Sequence, residues 1–187
     1  VKIYDFIGTS WVQIGQDING EAENNFSGTS VSLSADGKIV AIGASGNDEN
    51  GSRSGHVRVY EFIGTSWDQI GEDIDGEAAS DMSGYSVSLS ANGKIVAIGA
   101  IGNNENGEDS GHVRVYELDG STWGQIGENI DSDALGDGFG YSVYLSANGT
   151  RVVIGAPRTN DDNGRWSGNV KIYDFIGTSW VQIGQDI

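Results

Sequence analysis

Cysteine is absent from the 187 residues, and proline occurs once. The lack of cysteine excludes disulfide bonds, thiol catalysis and cysteine-ligated zinc. Basic residues are also scarce, because 10 Lys and Arg stand against 27 Asp and Glu, and the net charge at pH 7 is −17. This charge repels phosphate, and no apolar run approaches the roughly 18 residues of a membrane-spanning helix. We therefore expect neither a nucleic-acid partner nor a membrane span.

What the chain has in abundance is glycine, with 30 residues, and an internal repeat. The motif Trp-x-Gln-Ile-Gly marks the period, with spacings of 56, 56 and 57 residues between Trp11, Trp67, Trp123 and Trp180. The extra residue of the last repeat unit lies in the loop between Ala156 and Gly168. A fixed period of this kind indicates a tandem array of one small structural unit.

Each unit has the pattern of four β-strands, which we label A to D. In strand A, Val31 and Leu33 alternate with serines, which is typical of a half-buried strand. An Asp-Gly or Asn-Gly turn leads into strand B, residues 39–44, whose apolar run predicts burial on both faces. Strand C begins at His56 and strand D at Trp67. The sequence thus predicts an all-β chain of tandem four-stranded antiparallel propeller-type blades, with a β-sandwich as the alternative.

The blade count does not close a propeller, which needs at least about four blades. Residues 1–18 are identical to residues 170–187 at 18 of 18 positions, but they match residues 57–74 at only 13 of 18. The larger repeat is therefore a group of three blades, 169 residues long, and we expect the chain to be part of a longer array or a polymer. Two such groups would close a six-bladed disc, whereas open stacking would build a helical filament. The expected units are a half blade with strands C and D at 1–18 and whole blades at 27–74, 83–130 and 139–187.

The third unit also carries a known signature. Phe139-Gly140 precedes strand A and Gly155-Ala156-Pro157 ends strand B, so the chain resembles the FG-GAP repeats of integrin-α-type propellers. The resemblance implies a propeller fold, a role in adhesion or ligand binding, and a calcium loop of Asp-x-Asp-x-Asp-Gly type between the two motifs. This chain departs from the family there, because Ca²⁺ takes six to eight oxygens and each tight turn offers one side chain, at Asp36, Asn92 and Asn148.

Side-chain oxygens spaced two residues apart recur in the loops between strands B and C. This spacing suits a calcium ion, and the metal-ligand candidates are Asp48, Asn50, Asn104, Asn106, Asp161 and Asn163. The alternative is that these residues form Asx turns. A second acidic series follows strand D and consists of Asp73, Asp75, Glu77 and Asp81 with their copies in the other units. Exposure of these side chains to solvent is a sufficient explanation for the series.

No residues form a catalytic pattern, and we expect that the protein is not an enzyme. His56 and His112 occupy equivalent positions before strand C, which favours a structural role. The four repeated tryptophans are interpreted as packing residues whose indole N–H meets a fixed acceptor. Trp166 lies off the repeat and is the best candidate for a contact residue. Sequons for N-glycosylation, which suit a secreted protein, occur at Asn25, Asn50 and Asn148.

The function expected from these features is structural. The periodicity and the unclosed blade count favour an acidic extracellular or cell-surface protein that forms a filament, sheath or appendage. Its expected partners are further copies of itself, with glycans in addition, and calcium is the one cofactor that the sequence suggests. The alternative is a closed FG-GAP-type propeller that binds a protein or a carbohydrate in adhesion.

Overall fold

The computed structural model describes residues 1–160 and 164–187. In this part of the chain every regular element is a β-strand, so the expected all-β fold is confirmed. None of the described residues forms a helix with the length and hydrophobicity that crossing a membrane requires. The strands are β1 (Tyr4–Ile7), β2 (Ser10–Gln13), β3 (Ser27–Leu33), β4 (Ile39–Ala44), β5 (His56–Ile63), β6 (Ser66–Gln69), β7 (Ile74–Asp75), β8 (Ser83–Leu89), β9 (Ile95–Ala100), β10 (His112–Asp119), β11 (Thr122–Gln125), β12 (Ile130–Asp131), β13 (Ser142–Leu145), β14 (Arg151–Ala156), β15 (Asn169–Ile176) and β16 (Ser179–Gln182).

These strands form four antiparallel sheets. We refer to β1 and β2 as the half-blade, to β3–β7 as the first blade, to β8–β12 as the second blade and to β13–β16 as the third blade. Strands A, B, C and D pair in that order within each whole blade, so the expected propeller-like blades are present. The two-residue strands β7 and β12 were not expected, and each pairs with strand C of its own blade, β5 and β10.

Local hydrogen bonds build the turn between strands A and B. Ser34 Oγ donates to Asp36 Oδ1 at 2.7 Å, and the same carboxylate oxygen accepts from the backbone N–H of Lys38 at 3.1 Å. Gly37 follows with a φ of 71°, a conformation in which other residues are strained. The second blade repeats the arrangement around Asn92. Because the turn uses its own side-chain oxygen, it does not fit the calcium loop that the family resemblance implies.

The hydrophobic core lies between successive sheets. Val87 and Leu89, from strand A of the second blade, pack in one cluster with Ala41, Val57 and Val59 of the first blade. Two further clusters join the half-blade to the first blade and the second blade to the third. Each blade therefore buries its apolar face against a neighbour, as in other stacked repeats.

Glycines bring neighbouring blades to backbone contact. Gly84 lies at a bulge of β8 with a φ of 81°. A Cβ atom on Gly43 would overlap the carbonyl oxygen of Gly84, and Gly99 stands in the same relation to Gly140. Ser30 Oγ donates to that same Gly84 carbonyl at 2.8 Å. The Gly-Ala position of one blade thus meets the Phe-Gly position of the next.

Candidate functional site

The junctions between blades are the most regular surfaces of the chain. We number them 1 (half-blade to first blade), 2 (first to second blade) and 3 (second to third blade). At each junction an indole N–H donates to a backbone carbonyl of the preceding blade, which agrees with the packing role expected for these tryptophans. The donors and acceptors are Trp67 and Ile14 at 3.0 Å, Trp123 and Ile70 at 3.0 Å, and Trp180 and Ile126 at 2.9 Å.

Trp11, the repeated tryptophan of the half-blade, does not share this packing, because the described residues form no blade before it. It is 69% exposed, whereas Trp67 is 2% exposed. Trp11, Val31 and Leu33 line an apolar cavity of about 460 Å³. Val31 is 55% exposed, whereas Val87, the same position one blade later, is 8% exposed. Since the half-blade consists of strands C and D alone, it leaves one face of the first blade open.

Each junction also holds a basic side chain from strand C among acidic side chains. At junction 1, the Nε of Arg58 donates to Asp73 at 2.8 Å, and the guanidinium also contacts Glu21 from the preceding linker. At junction 3, Lys171 is buried and contacts Asp133. These acids belong to the series after strand D, and here they compensate partly or fully buried cations of the neighbouring strand.

At junction 2 the basic side chain of strand C contacts fewer carboxylates. Asn129 occupies the position that Asp73 has at junction 1. The buried guanidinium of Arg114 donates to the backbone carbonyl of Asp75 at 2.7 Å and lies 3.4 Å from a carboxylate oxygen of Glu77. The basic side chain at junction 2 therefore neutralises less of the surrounding acidic charge than its counterpart at junction 1.

A buried histidine faces the acids of junction 2. His112 is 1% exposed, and its Nδ1 lies 3.8 Å from Asp131 Oδ1 and 3.9 Å from Glu77 Oε2, beyond hydrogen-bond distance. Among the described residues, neither ring nitrogen of His112 has a hydrogen-bond partner, and the same holds for Asp131 Oδ1. Burial, together with the charge of Arg114, lowers the pKa of His112 to about 3. The imidazole is therefore neutral at neutral pH.

The carboxylate next to this histidine is also perturbed. Burial raises the pKa of Asp131, and the charges of Glu105 and Glu77 raise it further. Burial disfavours the charged carboxylate, and the neighbouring carboxylates add to this effect. Junction 2 thus combines a neutral imidazole with closely spaced carboxylates.

The equivalent histidine of junction 1 has a different environment. His56 Nδ1 lies 3.5 Å from Asp73 Oδ2, and that carboxylate is also bound by Arg58. Burial lowers the pKa of His56, and the charge of Asp73 opposes this effect. At junction 3 the equivalent residue is Asn169.

The candidate calcium ligands of the B–C loops take part in loop hydrogen bonds. Asp48 Oδ1 accepts from the backbone N–H of Arg53 at 2.7 Å, and Asn104 Oδ1 accepts from that of Asp109 at 2.9 Å. Asn106 Nδ2 donates to the carbonyl of Ser132 at 3.0 Å, and Asn50 donates likewise to Gly76 at 3.1 Å. Asp161 and Asn163 lie outside the described residues. Calcium binding at these loops stays a prediction.

Trp166 lies on an exposed loop of the third blade. The guanidinium carbon of Arg165 is 4.4 Å from the centroid of the Trp166 ring, a cation–π arrangement. The backbone N–H of Trp166 donates to Asn160 Oδ1 at 2.9 Å. The side chain is accessible to a partner, and its contact role stays a prediction.

The three sequons differ in the access to their side chains. Asn25 is buried, whereas Asn50 and Asn148 are exposed. The Nδ2 of Asn50, to which a glycan would be attached, donates to the carbonyl of Gly76. The side-chain oxygen of Asn148 accepts from Thr150, and its turn lies at the surface. Asn148 is therefore the most accessible of the three.

Comparison with known proteins agrees with the architecture. The FG-GAP repeat family model matches residues 18–60, 74–116 and 123–173. No curated protein gives a significant match. Similar solved structures include Saccharomyces cerevisiae Sqt1, with a TM-score of 0.54, 13% identity and coverage of 88% of this chain and 36% of that chain. A eukaryotic initiation factor is similar with a TM-score of 0.53 and 12% identity, over 95% of this chain and 38% of that chain.

The hydrazine synthase of Kuenenia stuttgartiensis is also similar, with a TM-score of 0.51, 9% identity and coverage of 89% of this chain and 38% of that chain. At such identities the likeness concerns the fold alone. The chain spans less than two fifths of the length of these three structures.

Proposed function

The chain belongs to the FG-GAP repeat family, and we propose that it is a structural repeat segment that assembles with further copies of itself into an extracellular or cell-surface filament, sheath or appendage. In this proposal the protein is not an enzyme, and its activity is self-association. The observation that carries the proposal is the open face of the first blade, where Val31 and Leu33 are exposed although their counterparts one blade later are buried. An apolar face of this kind is stabilised when another blade covers it.

The opposite end of the chain offers a matching surface. At junction 2, Val87 and Leu89 pack against a face formed by Ala41, Val57 and Val59. The positions that correspond to this face in the third blade are all apolar and only partly buried, namely Val153, Val170 and Ile172. The third blade of one copy therefore has the side chains needed to cover Val31 and Leu33 of another copy.

The identity of residues 1–18 and 170–187 suggests how two copies join. Strands C and D of one copy's third blade take the place of the other copy's half-blade, and they carry strands A and B with them. The indole N–H of Trp67 then donates to the Ile183 carbonyl of the other copy in place of the Ile14 carbonyl. Because the exchanged hairpins are identical, the added burial by strands A and B favours the exchanged state.

The test is the oligomeric state of the purified chain, measured by light scattering and electron microscopy. We expect masses in multiples of the chain mass, which rise with protein concentration. Val31→Asp should keep the protein monomeric, because a charge on the covered face opposes docking. Ile63→Asp is the matched control, since Ile63 is also exposed and lies at the outer end of β5. A wild-type chain that stays monomeric, or a Val31→Asp variant that assembles equally well, would contradict the proposal.

The second candidate is a closed propeller that binds a protein or carbohydrate in adhesion. The observation in its favour is the exposed Trp166 with the neighbouring Arg165, because such side chains often form ligand contacts. Electron microscopy distinguishes the two candidates, since filaments extend with concentration whereas closed discs have one size.

A further inference from the structure

We propose that junction 2 binds one divalent transition-metal ion of the zinc type, with His112, Glu77, Glu105 and Asp131 as its ligands. One ligand atom from each of His112, Glu77 and Glu105 lies within 4.8 Å of the other two. Asp131 is not a member of this group, but its Oδ1 lies 3.8 Å from His112 Nδ1 and makes it the fourth candidate ligand. The set combines one imidazole nitrogen with three carboxylate oxygens, and zinc binds both kinds of donor.

The distances favour a shared ion over direct contact between these side chains. His112 Nδ1 lies 3.8 and 3.9 Å from the nearest oxygens of Asp131 and Glu77, too far for hydrogen bonds. Two ligands at bond lengths near 2.1 Å on a tetrahedral zinc ion are about 3.4 Å apart. His112 Nδ1 would therefore need to come about half an ångström closer to each of these two oxygens to share an ion with it, and Glu105 would add a ligand from the B–C loop.

The unpartnered buried atoms point to a ligand. His112 is 1% exposed, and neither its ring nitrogens nor Asp131 Oδ1 have a hydrogen-bond partner among the described residues. A buried polar atom without a partner is destabilising, because it has lost its hydrogen bonds to water. A metal ion would satisfy two of these atoms at once, His112 Nδ1 and Asp131 Oδ1.

The charge at junction 2 is suited to a divalent cation. Three carboxylates, of Glu77, Glu105 and Asp131, and the guanidinium of Arg114 give a formal charge of −3 + 1 = −2. Asn129 Nδ2 lies 3.5 and 3.4 Å from oxygens of the two glutamates, so a neutral amide occupies the place between them. At junction 1 the ligand atoms of Glu21, Glu49, His56 and Asp73 also lie within 4.8 Å of one another, but there Arg58 contacts both Glu21 and Asp73. The junctions therefore differ in the arginine contacts, because Arg58 contacts two of the carboxylates at junction 1, whereas Arg114 lies near Glu77 alone among the proposed ligands of junction 2.

The imidazole ligand selects the class of metal. Calcium and magnesium prefer oxygen ligands, whereas imidazole nitrogen suits zinc, copper and nickel. None of its ligands is a calcium candidate, although Glu105 lies in the same B–C loop as Asn104 and Asn106.

The experiment is a calorimetric titration of the chain with Zn²⁺, repeated with Ca²⁺. We expect one equivalent of zinc per chain, with a heat signal that Ca²⁺ does not reproduce. Glu105→Gln should weaken zinc binding at least tenfold, and Glu105 is exposed, so this variant tests the site without disturbing the core. His112→Asn, which introduces the residue that the third blade has at Asn169, should abolish binding.

Two variants at junction 1 serve as matched controls. His56→Asn and Glu49→Gln should bind zinc within twofold of the wild-type chain. Long-range ¹H–¹⁵N NMR spectra test coordination directly, because zinc binding should shift the Nδ1 resonance of His112 and leave the Nδ1 resonance of His56 unchanged. The proposal is overturned by absence of zinc binding up to millimolar concentration, by an unchanged affinity of Glu105→Gln, or by binding that His56→Asn removes and His112→Asn retains.

Discussion

The carbonyl oxygen of Gly84 fills the space in which Gly43 would carry a Cβ atom. The two glycines belong to successive blades, and Gly99 and Gly140 have the same relationship at the next junction. The two glycine motifs of the repeat therefore form one contact, in which a glycine near the end of strand B of one blade meets a glycine at the start of strand A of the next. A side chain at either position would separate the blades.

Gly99→Ala should therefore destabilise the protein by about 1–3 kcal/mol, because the added methyl group meets backbone atoms that cannot move aside cheaply. The matched control is Gly155→Ala, at the equivalent position of the third blade. A Cβ atom on Gly155 would meet the Ser142 side chain, just as one on Gly99 would meet the Ser86 side chain. It would not meet the backbone of a following blade, whereas one on Gly99 would meet the Gly140 carbonyl. Urea unfolding in the monomeric Val31→Asp background measures both. Equal losses would show that the blade contact is not the cause.

The indole hydrogen bonds lead to a second prediction. Trp67→Phe removes the donor to the Ile14 carbonyl and part of a side chain that is 2% exposed, so we expect a loss of about 2–3 kcal/mol. Trp11→Phe should change stability by less than about 0.5 kcal/mol, since Trp11 is largely exposed. Chemical denaturation at low protein concentration compares the two. A comparable loss from Trp11→Phe would mean that the half-blade packs differently.

Much of the fold follows from the sequence. The serine-valine-leucine alternation, the Asp-Gly and Asn-Gly turns and the apolar strand B are local signals, and the structure forms strands A to D at these places. The short strands β7 and β12 have no such signal. Ile74 and Asp75 form a strand because they pair with Val57 and His56, more than fifteen residues earlier in the chain, and two residues cannot show a periodicity.

The charged clusters could be predicted only in part. The acids after strand D form a visible series in the sequence, but solvation explains that series equally well. Some of their partners lie on the same blade, as Arg58 does for Asp73, and others on the next blade, as His112 does for Glu77, 35 residues later. A signal was nevertheless present, because strand C carries a basic residue at one repeat position, Arg58, Arg114 and Lys171, while the linker carries an acid at another, Glu21, Glu77 and Asp133. The substitution of Asp73 by Asn129 at the equivalent position also distinguished junction 2 from junction 1.

The B–C loops give a prediction that separates turn formation from calcium binding. Asp48→Ala removes the acceptor for the backbone N–H of Arg53, a residue held at a φ of 55°. We expect a loss of about 1 kcal/mol, equal in millimolar Ca²⁺ and in chelator. Asn104→Ala should cause a similar loss of stability through the equivalent loop of the second blade. If calcium is bound there, Ca²⁺ will raise the melting temperature of the wild-type chain, and Asp48→Ala will abolish that rise.

The sequons differ enough to predict their occupancy in a secreted chain. A glycan should be found at Asn148, whose side chain is exposed on a tight turn. Asn25 is buried, and the Nδ2 of Asn50 is held by the Gly76 carbonyl, so both should be modified less. Mass spectrometry of glycopeptides from a eukaryotic secretion host measures the three occupancies, with Thr150→Ala as the control that removes the Asn148 sequon. Higher occupancy at Asn25 than at Asn148 would contradict the prediction.

The buried histidines should make the protein less stable in mild acid. The unfolded chain binds a proton on His112 below the ordinary pKa of 6.5, whereas the folded protein binds it only near pH 3, so stability falls as the pH decreases through this interval. Each group of this kind contributes up to about 1.4 kcal/mol per pH unit. Burial raises the pKa values of Asp75 and Asp131, which acts in the opposite direction, but these carboxyls ordinarily titrate near 3.8.

The change in stability between pH 6 and 5 therefore reports on the histidines. The charged groups that face His112 are Glu77, Asp131 and Arg114. We expect the unfolding free energy of the wild-type chain, measured by urea titration in the presence of a chelator, to fall over this interval. His112→Asn should remove about 1 kcal/mol per pH unit of that slope. His56→Asn should remove less, because the charge of Asp73 opposes the lowering of the pKa of His56. An unchanged slope in His112→Asn would show that this imidazole is protonated in the folded protein as readily as in the unfolded chain.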